Sequence, residues 1–420
     1  MSTSNNLTEL RPYLFSKTLN YCCSFILLAA SLGHGAGFFI QEQSVDGMGV
    51  AFAGNAADDS NASTVFFNPA GTGEVGDQVA AGANLVLPES RFEDTGSNVS
   101  GADPGNIAEI VAIPNFYTTY QLNEDVGLGL ALNSPFGVNS NYPGNWAGRY
   151  QALRTRLTTI NLQPTISWSP NDWLSIGGGV MVLYGDAHIS NAVDLPGTLP
   201  DGSIDQTSNG WGVGANIGAI VKLASETTFG ITYRSAIDLK LTGTADYTGA
   251  IPVLPAEQGN STTLNLPNMV TVGITQQLND WEVLAGVTWT EWSRFESFDV
   301  EFDSSPTVSI TQDWKNTWRA SIGTRWNFYE SFIASLGFAY DESPVPNSVR
   351  RSPRFPDSDR YWLTTGLSGR LTESMTFALT YAHIFFVNAP INNTDAQGHQ
   401  LVGNYDTSAN IISAQVAWAF

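Results

Sequence analysis

The sequence predicts an all-β protein, a fourteen-stranded antiparallel transmembrane β-barrel, on three observations. Charged residues make up 14 % of the 420 positions, against about 25 % in soluble domains. There are 40 Gly, 12 Trp, 14 Tyr and 22 Phe, yet no run of about 20 apolar residues that would span a bilayer as a helix. From about residue 79 onward, segments of roughly ten residues alternate apolar and polar and are joined by connections that alternate long and short.

Residues 1–35 read as an export signal. Arg11 and Lys17 precede the short apolar run from Ser24 to Leu32, which is too short to span a bilayer, and small residues follow at Gly33 and Gly35. Cleavage is expected after Gly35, with Ala36 as the alternative. Cys22 and Cys23 both fall in this leader, so the exported chain would carry no disulfide. Its charge would be −22, because the leader removes two basic residues and one acidic one from a total of −21.

Residues 36–78 show no sustained strand period but are dense in apolar groups, among them Phe38, Phe39, Ile40, Met48, Phe66 and Phe67. Such a segment needs shelter, and the lumen is the nearest, so a plug is expected there. Residues 79–420 form the barrel. The strands are expected near 79–87, 109–121, 126–134, 155–168, 173–186, 210–223, 227–242, 262–277, 281–293, 316–328, 332–341, 359–371, 374–387 and 409–420. In 228–234, Phe229, Ile231 and Tyr233 alternate with Thr228, Gly230, Thr232 and Arg234. Six tight turns, at Asn123 and Glu124, Ser169–Asp172, Ser225 and Glu226, Leu278–Asp280, Tyr329 and Glu330, and Thr372 and Glu373, face seven long loops. That asymmetry marks outer-membrane barrels, with the long loops outside and both termini on the periplasmic side. An even strand number permits closure, which removes unpaired edges. The last strand ends in alternating apolar residues and Phe420, which resembles the signal read by the barrel assembly machinery of the bacterial outer membrane.

Motifs in order along the exported chain carry a more specific resemblance. They are Ala36-Gly-Phe-Phe-Ile-Gln-Glu-Gln43, Ala53-Gly-Asn-Ala-Ala-Asp-Asp59, Asn68-Pro-Ala70, Leu264-Asn-Leu-Pro-Asn-Met269, Trp289-Thr-Glu-Trp-Ser293, Asp341-Glu-Ser-Pro-Val-Pro346 and Pro356-Asp-Ser-Asp-Arg-Tyr-Trp362. The chain resembles the FadL-type long-chain fatty acid transporters. The resemblance implies an N-terminal hatch including Asn68, Pro69 and Ala70, and passive uptake of hydrophobic compounds by a monomer among outer-membrane lipids.

The third strand reaches Ser134-Pro-Phe-Gly137, where proline removes a ladder donor and glycine permits unusual dihedrals. The spacing alone reads equally as a strand end or as a break. The resemblance implies that Ser134, Pro135, Phe136 and Gly137 form a lateral gate in the wall. Ligand contacts are expected from Phe38, Phe39 and Ser134, and from the apolar loop residues Ile251, Val253 and Leu254, which read equally as a collecting surface or a packed loop. Lys315 and Arg319 match basic residues of the family motif and would meet a carboxylate or pair with lumen acids. An arginine that family members can carry beyond the fifth strand falls on Asn191 here, which leaves aromatic or alkane hydrocarbons as an alternative cargo. Acidic loop residues such as Asp357 and Asp359 read as solvated surface, with divalent-ion binding as the alternative.

Other function classes find less support. The acidic balance opposes nucleic-acid binding. The four histidines, His34, His188, His383 and His399, lie in no nucleophile or metal motif. No enzyme activity, cofactor or metal is therefore expected. A general diffusion porin would not need the plug.

Overall fold

The computed structural model describes residues 37–197, 199–249 and 255–420. The leader, with Cys22 and Cys23, and the loop residues Ile251, Val253 and Leu254 lie outside the described residues.

Alternation of small or polar groups with apolar ones dictates strands, and the wall is built from β1 (Gln78–Asp94), β2 (Val111–Gln121), β3 (Val126–Asn133), β4 (Gly137–Asn141), β5 (Arg154–Asn171), β6 (Leu174–Val193), β7 (Gly202–Ala224), β8 (Thr227–Arg234), β9 (Ile237–Thr248) and β10 (Glu257–Leu266). It continues with β11 (Met269–Leu278), β12 (Trp281–Thr290), β13 (Ser297–Phe302), β14 (Val308–Thr311), β15 (Thr317–Tyr329), β16 (Phe332–Asp341), β17 (Arg360–Arg370), β18 (Met375–Phe386), β19 (Ala389–Thr394) and β20 (Gln400–Ala419). Each wall strand pairs antiparallel with its sequence neighbour, and β20 returns to β1 from Gln78↔Ala419 to Asp94↔Gly403. The sheet is thus a closed barrel of 14 strands. Here β3 with β4, β8 with β9 and β10 with β11 count as single interrupted strands, while β13, β14 and β19 extend the long-loop end.

The faces are inverted relative to a soluble sandwich. Ile231 and Tyr233 are exposed while Thr232 and Arg234 between and beyond them are buried. Leu379 and Tyr381 face out, and Ala378 and Thr380 face in. Trp168, Trp173, Trp281, Trp326 and Trp418 lie exposed near the short turns, as an interfacial aromatic girdle requires.

Three expectations about strand ends need correction. The first strand runs on to Asp94, the sixth starts at Gly202, and the last starts at Gln400. Beyond the apolar band the ladder continues between polar residues, where hydropathy no longer alternates. The turn expected at Ser169–Asp172 sits at Asp172 and Trp173, because Asn171 Oδ1 accepts from the backbone N–H groups of Trp173 and Leu174 at 3.2 and 3.0 Å. Breaks at Ser235 and Ala236 and at Pro267 and Asn268 are additional. Pro267 cannot donate to the ladder, and Asn268 Oδ1 accepts instead from the Ala236 N–H at 2.8 Å.

Residues 37–77 lie against the inner wall, with a short helix at Val45–Gly49, another at Thr64–Phe67 and a 3₁₀ turn at Pro69–Gly73. Asn68 is fully buried and donates through Nδ2 to the carbonyls of Ala56 (2.6 Å) and Ala219 (3.1 Å), while Ala70 O accepts from Ser175 Oγ at 2.6 Å. The wall must be bare at these contacts. A Cβ on Gly218 would lie 2.0 Å from Asn68 Oδ1, and one on Gly177 would lie 2.4 Å from the Pro69 carbonyl carbon.

A cavity beside a break in the barrel wall

The β2–β3 ladder closes from Gln121↔Gly127 to Phe116↔Leu132 and stops. One more non-adjacent step in this register would set Pro114 opposite Ser134, so neither strand offers a normal donor pattern there. On the other side, β3 pairs with β5 up to Asn133↔Asn161, and β4 resumes at Gly137↔Thr158. Three residues, Ser134, Pro135 and Phe136, therefore face only two, Thr159 and Ile160, which is a one-residue bulge. Among the described residues β4 pairs with β5 alone, so the wall is unzipped between β4 and the upper part of β2.

The N-terminal segment occupies the partners that β2 does not supply. Gln43 Nε2 donates to Ser134 O (2.7 Å), Ile40 N to Pro135 O (2.8 Å) and Gly137 N to Phe38 O (2.9 Å), and Phe39 forms a bridge with Phe136. Thr159 Oγ1 completes the bulge, accepting from Phe136 N at 3.1 Å and donating to Phe136 O at 2.6 Å. Buried backbone groups thus find partners without a continuous sheet.

Phe38 is 1 % exposed and sits in an aromatic cage, with ring centroids 4.8 Å from Trp292, 5.4 Å from Phe295, 5.6 Å from Trp314 and 5.8 Å from Phe355. Gly37 donates to Asp357 Oδ2 at 3.1 Å. Asp357 also accepts from Ser343 Oγ and pairs with Arg360, and Asp359 accepts from Tyr340 and the Ser343 N–H. The structure therefore engages both acids with protein donors, as lumen and loop fasteners.

Beside Phe38 lies a narrow cavity. Leu157, Ile189, Leu241, Leu264, Phe298, Val300 and Phe355 supply its apolar surface. Two arginines reach it. Arg156 is neutralised by Asp186 at 2.5 Å. Arg354 is 4 % exposed, and its guanidinium donates only to neutral acceptors, including Thr155 Oγ1 (3.2 Å) and Asn191 Oδ1 (3.1 Å). Its Nε has no partner, and no carboxylate among the described residues pairs with it. Burial draws its pKa down to about 10, so it remains a cation at neutral pH.

A cation from a different loop, Arg354, thus stands beside Asn191, whose Oδ1 accepts from it. Sequence reading passed over Arg354 because it sits in an acidic loop stretch and meets Asn191 across 163 positions.

Of the expected ligand contacts, the structure brings Phe38, Phe39 and Ser134 together and leaves two others apart. The Lys315 side chain is exposed and does not line the cavity, its backbone N–H bonding Pro344 O. Arg319 is buried under the hatch, where Nη2 donates to Ala51 O at 2.9 Å. The hatch carries its own buried acid, Glu42; burial pushes its pKa up to about 7, against the pull of backbone N–H groups at Glu42 and Gln41 and of Arg360 and Arg319. Ion pairs tie the hatch to the wall: Arg325 reaches Asp58 at 2.5 Å and Glu282 at 3.0 Å, and Lys222 reaches Glu74 at 2.5 Å.

Comparison with known proteins agrees with this geometry. A long-chain fatty acid transport protein of Escherichia coli O6:H1 is 28 % identical over 401 residues, spanning 85 % of this chain and 89 % of that protein. Outer membrane protein P1 of Haemophilus influenzae is 25 % identical, spanning 92 % of this chain and 94 % of that protein. Among solved structures, a Pseudomonas aeruginosa FadL homologue shares the fold with a TM-score of 0.86 at 24 % identity, covering 92 % of this chain and all of that one. The Pseudomonas putida toluene transporter TodX shares it with a TM-score of 0.71 at 16 % identity, covering 92 % of this chain and 99 % of that one. The family model for outer membrane protein transport proteins (OMPP1/FadL/TodX) matches residues 26–420, and the chain belongs to that family of outer-membrane transporters of hydrophobic compounds.

Proposed function

We propose that this transporter passively takes up long-chain fatty acids. The observation that carries the reading is Arg354, a buried cation without a carboxylate partner at a largely apolar cavity. A hydrocarbon would leave that charge unanswered, whereas an acid supplies its counter-ion. The similarity to the E. coli fatty acid transport protein supports the same cargo.

In this scheme the long loops face outside and both termini face the periplasm. The apolar residues Ile251, Val253 and Leu254 and the exposed Lys315 collect cargo. The acyl chain enters the cavity and the carboxylate meets Arg354. Ligand pressing on Phe38 loosens the hydrogen bonds between residues 38–43 and the bulge, and the cargo leaves sideways through Ser134–Gly137 between β2 and β4. Each methylene that stays out of water favours this route by about 0.8 kcal/mol. The hatch, held by Asn68, Pro69 and Ala70 and by its ion pairs, keeps the axial path shut.

Two variants test this in cells lacking their own fatty acid uptake. Truncating one partner of a buried charge pair costs about 2–5 kcal/mol, so Arg354→Gln should weaken palmitate binding by about thirtyfold or more with much less effect on hexadecane. Deleting Pro135 removes the one-residue excess and lets β3 and β4 pair with β5 without interruption. Uptake should then fall while binding persists. Equal losses for acid and alkane would refute the acid reading, and unchanged uptake after the deletion would refute the lateral route. Rapid sugar flux through the wild-type protein in liposomes would favour an open porin.

A further inference from the structure

A second narrow cavity lies deeper in the lumen, between the hatch and the wall. Phe39, Phe66, Phe67, Arg234, Met269 and Thr271 line it. Its depth follows from the strands it shares with the first cavity. Leu241 and Leu264 line the outer one, whereas Arg234 and Met269, a directly paired couple, line the inner one. Five to seven residues separate the two levels, about 15–25 Å of strand toward the short turns at 3.3 Å per residue. Phe38 lines the outer cavity and Phe39 the inner, so one segment of two residues divides them, and its second ring sits 5.4 Å from Phe136 of the bulge.

Arg234 is 8 % exposed. Nη2 donates to Phe66 O at 2.7 Å, the guanidinium lies 3.9 Å over the Phe66 ring, and Nη1 finds only the thioether of Met181 at 3.0 Å. A thioether is a weak acceptor. No carboxylate among the described residues forms an ion pair with Arg234. A buried cation lacking a counter-ion is costly; Arg325 and Arg360 of the wall each have one, whereas Arg319 under the hatch is held by the Ala51 carbonyl. The inner cavity thus repeats the design of the outer: aromatic surface, one uncompensated guanidinium, and Gln41, Asn55, Thr232, Thr271 and Thr288 as the polar remainder.

We propose that Arg234 is a second carboxylate station, at which a long-chain acid leaving Arg354 rests after passing Phe38 and Phe39 and before it exits beside Phe136. The inference rests on the fatty acid reading above. Two weak stations in series would lower the barrier to leaving a single strong anchor, because the unpaired passage of the carboxylate by Phe38 and Phe39 ends at a second guanidinium.

Equilibrium binding of radiolabelled palmitate to the full-length protein in nanodiscs, with uptake of palmitate and hexadecanol in cells, tests the inference. The wild type should bind two palmitates per chain. Arg234→Gln should bind one and lose palmitate uptake at least tenfold more than hexadecanol uptake, and Arg234→Lys should recover the second site. If Arg234→Gln still binds two, or if both cargoes fall alike, Arg234 is only a pin for the Phe66 carbonyl and the inference fails. Arg354→Gln separates the two readings. Loss of one site there alongside loss of the other in Arg234→Gln supports both, retention of both sites overturns only the outer anchor, and a wild type that binds no palmitate overturns both.

Discussion

Replacing Phe38 with alanine should uncouple the N-terminal segment from the wall break. The ring is 1 % exposed and touches four aromatic partners within 6 Å. Truncating such a side chain costs about 3–5 kcal/mol. Against this, the segment retains the backbone bonds from Ile40 to Pro135, from Gly137 to Phe38 and from Gly37 to Asp357, each worth about 0.5–1.5 kcal/mol net. The loss is comparable to the whole of that polar holding energy. Opening of the segment should therefore become more than a hundredfold more frequent, taking about 1.4 kcal/mol per tenfold. Hydrogen exchange in nanodiscs reads this directly. The Ile40 and Gly137 amides should exchange faster by that factor, while amides in the β6–β7 ladder keep their protection. Unchanged exchange at Ile40 and Gly137 would refute the coupling, and uniform acceleration across the barrel would show that Phe38 supports global stability instead.

Two further predictions concern the hatch. Glu42 has a folded pKa of about 7 against 4.5 for an unperturbed carboxyl. The folded state therefore binds the extra proton, and stability falls as pH rises from about 4.5 to 7, by about 3 kcal/mol at most. Urea unfolding at pH 5 and pH 8 should show a smaller pH difference in Glu42→Gln than in the wild type, and identical differences would exclude Glu42 as the titrating group. Arg325→Met strands Asp58 and Glu282 in a buried setting and should destabilise by about 3–5 kcal/mol. Adding Asp58→Asn and Glu282→Gln should recover most of the urea midpoint, and no recovery would point to packing rather than charge.

How far the sequence reached depended on how local each signal was. Period-two hydropathy is local, so the fourteen strands, their outward apolar face at Ile231 and Leu379, and the short-turn asymmetry were legible without a structure. Pro135 by itself marked a strand end and a break equally, and the family resemblance favoured the break. Strand ends were less legible, because the ladder runs on where polarity stops alternating, as at Asp94 and Gln400. The binding cations were hidden by distance along the chain. Arg319 and Lys315 matched a motif, yet one lies under the hatch and the other faces solvent, while Arg354 reaches the cavity through Asn191 from 163 positions away. Likewise Gly37 meets Asp357 across 320 positions, a contact that no local pattern encodes. The sequence alone determined a closed barrel with a sheltered N-terminal segment, since backbone hydrogen bonding and burial of apolar faces leave no other solution. Which guanidiniums stand without a carboxylate partner, and that the N-terminal segment completes the broken strand, was decided only when closure of the sheet brought distant residues to the same place.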